Sequence, residues 1–207
     1  MHTRTLGFLA VATAAAAAFA GMGQPVAARE TCRRIFDPRW PGLQECVVRA
    51  GVENIVANPP ERQKLSLWCW AAALSMIYGA QGHPISQESI VRQNFGELRN
   101  APGGDFLTFV ERLNRPYTDD RGERFLSTST EIETPEDARN AMNDGLPILY
   151  TTSTHAMVQT SLTYQVAPGY PVVFKGGILW DPASGRNRNV NASDVVSYVQ
   201  AWLVEAN

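Results

Sequence analysis

The segment Gln63-Lys64-Leu65-Ser66-Leu67-Trp68-Cys69-Trp70-Ala71-Ala72 contains the most informative pattern of the chain. From Trp70 to Tyr78 the sequence is apolar on nearly every face, which predicts a buried central helix that stops at Gly79 to Gly82. A helix N-terminus carries about half a positive charge, which favours the thiolate form of a cysteine placed there. The side-chain amide of Gln63 can donate a hydrogen bond to an oxyanion that forms beside the sulfur. The segment therefore predicts a cysteine nucleophile, Cys69, at the start of a buried helix.

The rest of the sequence predicts helices first and strands second. Further helices are expected at 87–92 with Ser86 as N-cap, at 105–113 after a glycine turn, and from Pro135 to near Gly145. Runs typical of β strands follow at 146–152, 156–164 and 172–180, and a final amphipathic helix is expected through Leu203. Short connections between the strands favour antiparallel pairing. The expected fold class is α+β, with the nucleophile helix packed on a small antiparallel β sheet.

The N-terminal region has the features of a secretory signal. Arg4 precedes an apolar, alanine-rich stretch from Leu6 to Ala20, and Val26-Ala27-Ala28 offers small residues for cleavage. A transmembrane anchor is the alternative, but the apolar run is short, so we expect residues 1–28 to be a cleaved signal peptide and the protein to be secreted or periplasmic, without a stable membrane anchor. Residues 29–60 show little periodicity and predict an irregular N-terminal arm, either part of the fold or a pro-segment.

Three cysteines follow the signal: Cys32, Cys46 and Cys69. In an oxidising compartment the economical pairing is Cys32 with Cys46, which closes a loop of about 15 residues and stabilises the fold by roughly 3 kcal/mol. That pairing leaves Cys69 as a free thiol. A free cysteine is often a buried, inert residue, so the alternative to a nucleophile stays open on Cys69 alone.

A thiolate nucleophile needs a base, and histidine suits this role because its ordinary pKa lies near neutrality. His83 comes just past the end of the Cys69 helix, too far along it to reach the sulfur, and is expected to be an exposed structural residue. His155 heads a predicted strand, and Asp181 ends the next one, where adjacent strands can bring the two together. The alternatives are a hydrogen-bonded rim histidine and an Asp-Pro turn opener.

The set Gln63, Cys69, His155 and Asp181, in that chain order, resembles the active site of papain-like cysteine proteases, in which a Gln precedes Cys-Trp-Ala by five residues. Bacterial members secreted as effectors by plant pathogens are the most similar branch. The resemblance implies a Cys69–His155–Asp181 triad, an oxyanion hole built by Gln63 and the Cys69 N–H, and a catalytic domain over 61–207. Leu67-Trp68 departs from the Gly-Ser of papain, and Trp68 and Trp180 are candidate walls of the cleft, with core packing as the alternative.

The expected function is hydrolysis of peptide bonds in a peptide or protein substrate through a thioester acyl-enzyme. The alternatives are an exported binding protein without catalysis, and an amidase, transpeptidase or deamidase that shares the thioester chemistry. The formal net charge of −2 and the absence of a basic patch argue against a nucleic-acid partner. Two well-separated histidines and one free cysteine do not form a zinc ligand set, so no metal or other cofactor is expected. The sequence leaves the oligomeric state open.

Overall fold

A computed structural model describes residues 29–50, 61–195 and 200–207, so the predicted signal peptide lies outside the described residues. The class is α+β, as expected, but the sheet is large rather than small: nine antiparallel strands belong to it. None of the described helices is long and apolar enough to cross a membrane. In chain order the elements are β1 (Arg29–Arg34), β2 (Gln44–Arg49), α1 (Cys69–Ala80), α2 (Gln87–Phe95), α3 (Phe106–Leu113), β3 (Pro116–Thr118), β4 (Arg124–Glu131), α4 (Pro135–Asn143), β5 (Ile148–Thr151), β6 (Ala156–Val166), β7 (Val173–Asp181), β8 (Arg186–Asn191), α5 (Ala192–Val195) and β9 (Gln200–Ala206).

The predicted central helix is confirmed as α1. Small side chains at positions 71–73 let its backbone approach the sheet, and Leu74, Ile77 and Tyr78 are fully buried. The Tyr78 hydroxyl is paired with the Ser127 hydroxyl at 2.7 Å, which satisfies this buried phenol. The helix ends before Gly82, whose φ of +90° favours glycine over any other residue. α1 packs against β5, β6 and β9, so Cys69 heads a helix that lies on the central strands of the sheet.

The shorter helices begin where capping chemistry predicts. The Ser86 side chain accepts a hydrogen bond from the Ser89 N–H at the start of α2. The Asp105 carboxylate does the same for the Thr108 N–H at the start of α3. Thr134 and Asp137 form a reciprocal capping box at α4, with Pro135 in the first turn. These three helices were therefore predictable from local sequence.

The sheet runs in the order β1-β2-β6-β5-β9-β4-β3, with β7 added to β6 and β8 to β7. Successive residues of β5 and β9 face opposite sides. Leu149 and Trp202 belong to the core under α1, whereas Ile148 and Leu203 belong to the core under α4. Two apolar layers therefore cover the central strands, and the strand ends near α1 are left to form a cleft.

The prediction of an irregular arm over 29–60 is wrong for its described part, because β1 and β2 extend the main sheet. β1 was not recognisable because it is an exposed, highly charged edge strand. Cys46 and Val48 of β2 are buried in the core under α4, so β2 belongs to the folded domain. The Cys32–Cys46 disulfide is confirmed and joins directly opposed residues of β1 and β2.

The final helix predicted through Leu203 is also wrong. The described helical residues are Ala192–Val195, and Gln200–Ala206 forms β9 between β5 and β4. The apolar residues of this segment alternate between the two faces of the sheet, which is a strand period. The expected order, in which helices come before strands, is wrong as well. β1 to β4 precede α4, because the sheet includes strands from both ends of the chain.

Candidate active site

Cys69 is the first residue of α1 and a free, half-buried cysteine that faces a cleft. The chain turns just before it, where the Trp68 N–H donates to the Leu65 carbonyl at 3.1 Å and the Trp68 carbonyl then accepts from the Ala72 N–H at 2.9 Å. The first N–H groups of a helix have no partner within it, and α1 has no acidic residue in its first turn. The positive end of the helix dipole is therefore directed at the Cys69 sulfur without an internal counter-charge.

The turn before Cys69 is held by the segment 99–101. The Asn100 side chain accepts a hydrogen bond from the Leu67 N–H at 3.0 Å. The indole N–H groups of Trp68 and Trp70 donate to the carbonyls of residues 99 and 101 at 2.9 and 3.2 Å. These contacts fix the position of the nucleophile before any substrate arrives.

His155 lies immediately before β6, in the tight turn from β5. Thr152 braces this turn from both sides: its N–H donates to the His155 carbonyl at 2.8 Å, and its hydroxyl oxygen accepts from the His155 N–H at 3.0 Å. The pairing of β5 with β6 brings the turn to the edge of the sheet that faces α1. The predicted position of His155 at the head of a strand is therefore what the structure shows.

Asp181 ends β7, which pairs with β6 in a register that sets Trp180 opposite Val158. This register brings the Asp181 Oδ1 to 2.7 Å from the His155 Nε2. Because Nε2 is used by Asp181, Nδ1 is the ring nitrogen left to face Cys69, which lines the same cleft and is close enough to raise the pKa of His155. The structure thus brings Cys69, His155 and Asp181 together in one line of neighbouring side chains, although they lie far apart in sequence.

The electrostatics of the line favour a charged imidazolium. The hydrogen bond to Cys69 is the largest influence and raises the pKa of His155, burial opposes it, and the hydrogen bond and charge of Asp181 raise it further. For Asp181, burial acts to raise the pKa of the carboxyl. The hydrogen bonds from His155, the Ala183 N–H and the Ser184 hydroxyl outweigh burial and lower it. Near neutral pH the pair therefore holds a carboxylate beside an imidazole that binds its proton more tightly than usual.

Gln63 lines the same cleft, but its side-chain amide is engaged locally. The Nε2 group donates to the carbonyls of Leu65 and Ser66 at 3.1 and 2.8 Å, and these bonds use both of its hydrogens. The Gln63 Oε1 is buried without a partner. Gln63 therefore braces the turn before Cys69 in this structure, and its role as an oxyanion donor stays a prediction that requires the amide to rotate.

The cleft has a volume of about 580 Å³ and is bordered by the nucleophile turn, the start of α3 and the β5–β6 turn. Apart from Cys69 and His155, Asp105 is the one ionisable side chain among its described lining residues. The other lining side chains are apolar, such as Leu67, Phe106 and Phe109, or uncharged and polar, such as Gln63 and the hydroxyls of the segment 151–154. The cleft therefore suits an uncharged, partly apolar ligand chain.

Trp68 and Trp180 do not line this cleft, which corrects the expectation that they form its walls. Both are buried in the core beneath α1, with 2 % and 4 % of their surface exposed. Trp70, in contrast, borders the cleft. Trp70 is as buried as Trp68, and tertiary packing decides which of the tryptophans borders the cleft, so the sequence could not tell them apart.

His83 is distant from the line, as expected, but it is half-buried rather than exposed. Its ring stacks on Phe125 with the centroids 4.4 Å apart. Among the described residues, His83, Asp119 and Glu123 have possible metal-ligand atoms within 4.8 Å of one another. The guanidinium of Arg121 already bonds both carboxylates at 2.9 Å, so an internal cation offsets part of the negative charge of this cluster.

Two contributors to the site were not found in the sequence: Asn100 and Ser184. Asn100 holds the turn before the nucleophile, and the Ser184 hydroxyl donates to the Asp181 Oδ2 at 3.0 Å. The one local signal for Ser184 is its position three residues after Asp181, because an Asp-Pro turn can bring a following side chain back to the aspartate.

A scan against protein-family models and a search of curated proteins found no match for this chain.

Proposed function

We propose that this protein is a cysteine peptidase that hydrolyses peptide bonds through a thioester acyl-enzyme. The hydrogen bond between His155 and Asp181, with the free Cys69 beside His155 in the same cleft, is the observation that carries the proposal. A nucleophile within hydrogen-bond reach of a base, which a third group orients, is the general signature of covalent catalysis. The cleft beside the sulfur is large enough for several residues of an extended peptide.

In the proposed reaction the Cys69 thiolate attacks the carbonyl carbon of the scissile bond, and the carbonyl oxygen becomes an oxyanion. The unpaired Cys69 N–H at the helix start stabilises this charge, and the Gln63 amide joins it if the side chain rotates. The imidazolium of His155 then gives its Nδ1 proton to the leaving amine as the C–N bond breaks. A thioester between Cys69 and the acyl group remains.

Water completes the cycle. The neutral His155 takes a proton from a water molecule, and the resulting hydroxide attacks the thioester carbonyl. The C–S bond breaks, which releases the carboxylic acid and restores the Cys69 thiolate and the imidazolium. Asp181 holds the ring in the tautomer that keeps Nδ1 toward the sulfur, and it stabilises the positive charge in both steps.

The likeness to papain-like proteases supports the same assignment at the level of arrangement. A cysteine heads a buried helix, and the histidine and aspartate come from the ends of neighbouring antiparallel strands. The nine-stranded sheet is larger than the expected one. The disulfide between β1 and β2 and the signal-like N-terminal sequence support action in an oxidising compartment outside the cytoplasm.

The first test is alkylation of Cys69 by iodoacetamide between pH 5 and pH 9, with mass spectrometry to locate the adduct. We expect rapid labelling well below pH 8 in the wild-type protein and much slower labelling in His155→Ala. His83→Gln is the matched control, because it removes a histidine that lies outside the cleft. Labelling only above pH 8, or equal rates in wild type and His155→Ala, would refute the activated pair and favour a non-catalytic binding protein.

The second test identifies the reaction. The wild-type protein and Cys69→Ala are incubated with a denatured protein such as casein and with peptide amides, and the products are analysed by mass spectrometry. New termini within the protein chain support a peptidase. Release of ammonia alone, or transfer of the acyl group to an added amine, would instead identify an amidase or a transpeptidase with the same thioester.

A further inference from the structure

Asp181 is held at both carboxylate oxygens, by His155 and by two groups of its own turn. Its Oδ1 accepts from the His155 Nε2 at 2.7 Å and from the Ala183 N–H at 2.9 Å. Its Oδ2 accepts from the Ser184 hydroxyl at 3.0 Å. A carboxylate that is bonded at both oxygens cannot rotate about its terminal bond without losing a partner. The Ser184 hydroxyl is the one side chain, besides His155, that is bonded to this carboxylate among the described residues.

The turn that carries Ser184 is fixed independently of its hydroxyl. The Gly185 N–H donates to the Asp181 carbonyl at 2.8 Å, which closes the turn between β7 and β8. The segment before the nucleophile clamps the same turn, since the Gln63 N–H donates to the Pro182 carbonyl at 3.0 Å and the Arg62 guanidinium to the Ala183 carbonyl at 2.8 Å.

Gly185 allows the Arg62 side chain to approach this turn closely. Its φ is +66°, and a Cβ added there would lie 2.2 Å from the Cγ of Arg62. The backbone of residues 181–185 therefore has its own supports, and the Ser184 side chain is exposed to solvent. The Ser184 hydroxyl donates to the Asp181 carboxylate and, at the longer distance of 3.4 Å, to the Asp181 carbonyl.

We propose that Ser184 is a positioning residue that orients the Asp181 carboxylate toward His155, so that the site is a four-membered line of Cys69, His155, Asp181 and Ser184. The proposal rests on the proposed function, because the purpose of the alignment is to hold the base of the nucleophile. Removal of the hydroxyl frees Oδ2 to bind water and lets the carboxylate rotate, which weakens the bond from Oδ1 to Nε2. His155 then binds its proton less tightly and is a weaker partner for the Cys69 sulfur.

Three variants test this assignment: Ser184→Ala removes the hydroxyl, Ser184→Thr keeps one, and Ser193→Ala removes an exposed serine elsewhere. Two readouts are measured for each purified protein: the pH titration of the His155 ring by NMR, and the iodoacetamide rate at Cys69 between pH 5 and pH 9. In Ser184→Ala we expect the His155 midpoint to move to lower pH and the alkylation rate near neutrality to fall about threefold to tenfold. Ser184→Thr and Ser193→Ala should match the wild type.

The two readouts separate this proposal from the proposed function. An unchanged His155 midpoint in Ser184→Ala, or a midpoint that Ser184→Thr fails to restore, overturns the role of Ser184 even if Cys69 is highly reactive. If wild-type Cys69 is unreactive, the proposed function fails, and the His155 titration still decides whether Ser184 orients Asp181. A thermal unfolding curve for each variant confirms that a lower midpoint does not reflect loss of the fold.

Discussion

Replacement of Asp181 by asparagine tests how much of the site depends on its negative charge. Asparagine has nearly the same shape, so it keeps an oxygen that can accept a hydrogen bond from the His155 Nε2 but removes the charge. In the wild type this contact is 2.7 Å long, and the side chains of His155 and Asp181 are 27 % and 22 % exposed. Water therefore reaches the pair only in part, and its charge is not fully screened.

The size of the effect follows from the class of hydrogen bond. A hydrogen bond to a charged group contributes about 1.5–3 kcal/mol, and a neutral one about 0.5–1.5 kcal/mol. The interaction between His155 and residue 181 is therefore weaker by about 1 to 1.5 kcal/mol in the variant, which corresponds to about a tenfold change in an equilibrium. We therefore expect Asp181→Asn to lower the pKa of His155 and to slow alkylation of Cys69 near neutral pH by about tenfold.

The assay is an NMR titration of the His155 ring together with iodoacetamide kinetics. Asp105→Asn is a matched control, because it removes a carboxylate at the same cleft while asparagine remains a good N-cap for α3. The control should leave both readouts near the wild-type values. A His155 midpoint that is equal in Asp181→Asn and in the wild type would refute the reasoning, because the carboxylate would then contribute no charge to the site.

Three further predictions concern the oxyanion, the pH dependence of stability and the disulfide. Gln63→Ala should lower the peptidase rate about 10²–10³-fold but leave alkylation by iodoacetamide unchanged, because alkylation forms no oxyanion. A loss of both activities would show that Gln63 acts only through its hydrogen bonds to the turn before Cys69. Because the pKa of His155 is raised in the folded protein, its contribution to the free energy of unfolding is fully present below about pH 6.5 and is lost as the pH rises through the pKa of the folded state. Because the pKa of Asp181 is lowered, its contribution is lost as the pH falls below about 4. Chemical unfolding of the wild type and of an Asp181→Asn/His155→Gln double variant should therefore differ most between about pH 4 and 6.5, and a difference that grows above pH 8 would contradict this. A Cys32→Ala/Cys46→Ala variant should unfold in urea with a free energy lower by about 3 kcal/mol, since the bridge spans 14 residues of sequence separation, and an unchanged midpoint would mean that β1 holds its place by pairing alone.

Elements with strong local signals were predictable. α1 follows from an unbroken apolar run, α2 from its N-cap Ser86, α3 from the spacing of its apolar residues and α4 from Pro135 in its first turn. β1 and β9 were not predictable, because neither segment has a local sequence pattern that favours a strand over a loop or a helix. β1 is a charged edge strand held by β2 and a disulfide, and β9 is a strand because it has a place between β5 and β4.

The same division applies to the candidate site. Cys69 and Gln63 could be selected from ten consecutive residues, and His155 and Asp181 from the chemistry that a thiolate requires. The contact between His155 and Asp181 depends on the register of β6 and β7, which includes two irregularities between these strands. A shift of one residue would turn either side chain to the other face, so no property of either sequence segment alone can fix it.

The sequence by itself determined the candidate nucleophile, the free thiol that remains after one disulfide forms, and the helix that begins at this cysteine, because these depend on neighbours along the chain. Only the tertiary structure decided that Trp68 and Trp180 are buried, that Gln63 bonds its own turn, and that Ser184 reaches Asp181. These outcomes depend on which strands pair and which helix face meets the sheet. Such contacts are made between distant segments, and their energies appear only once the chain has brought those segments together.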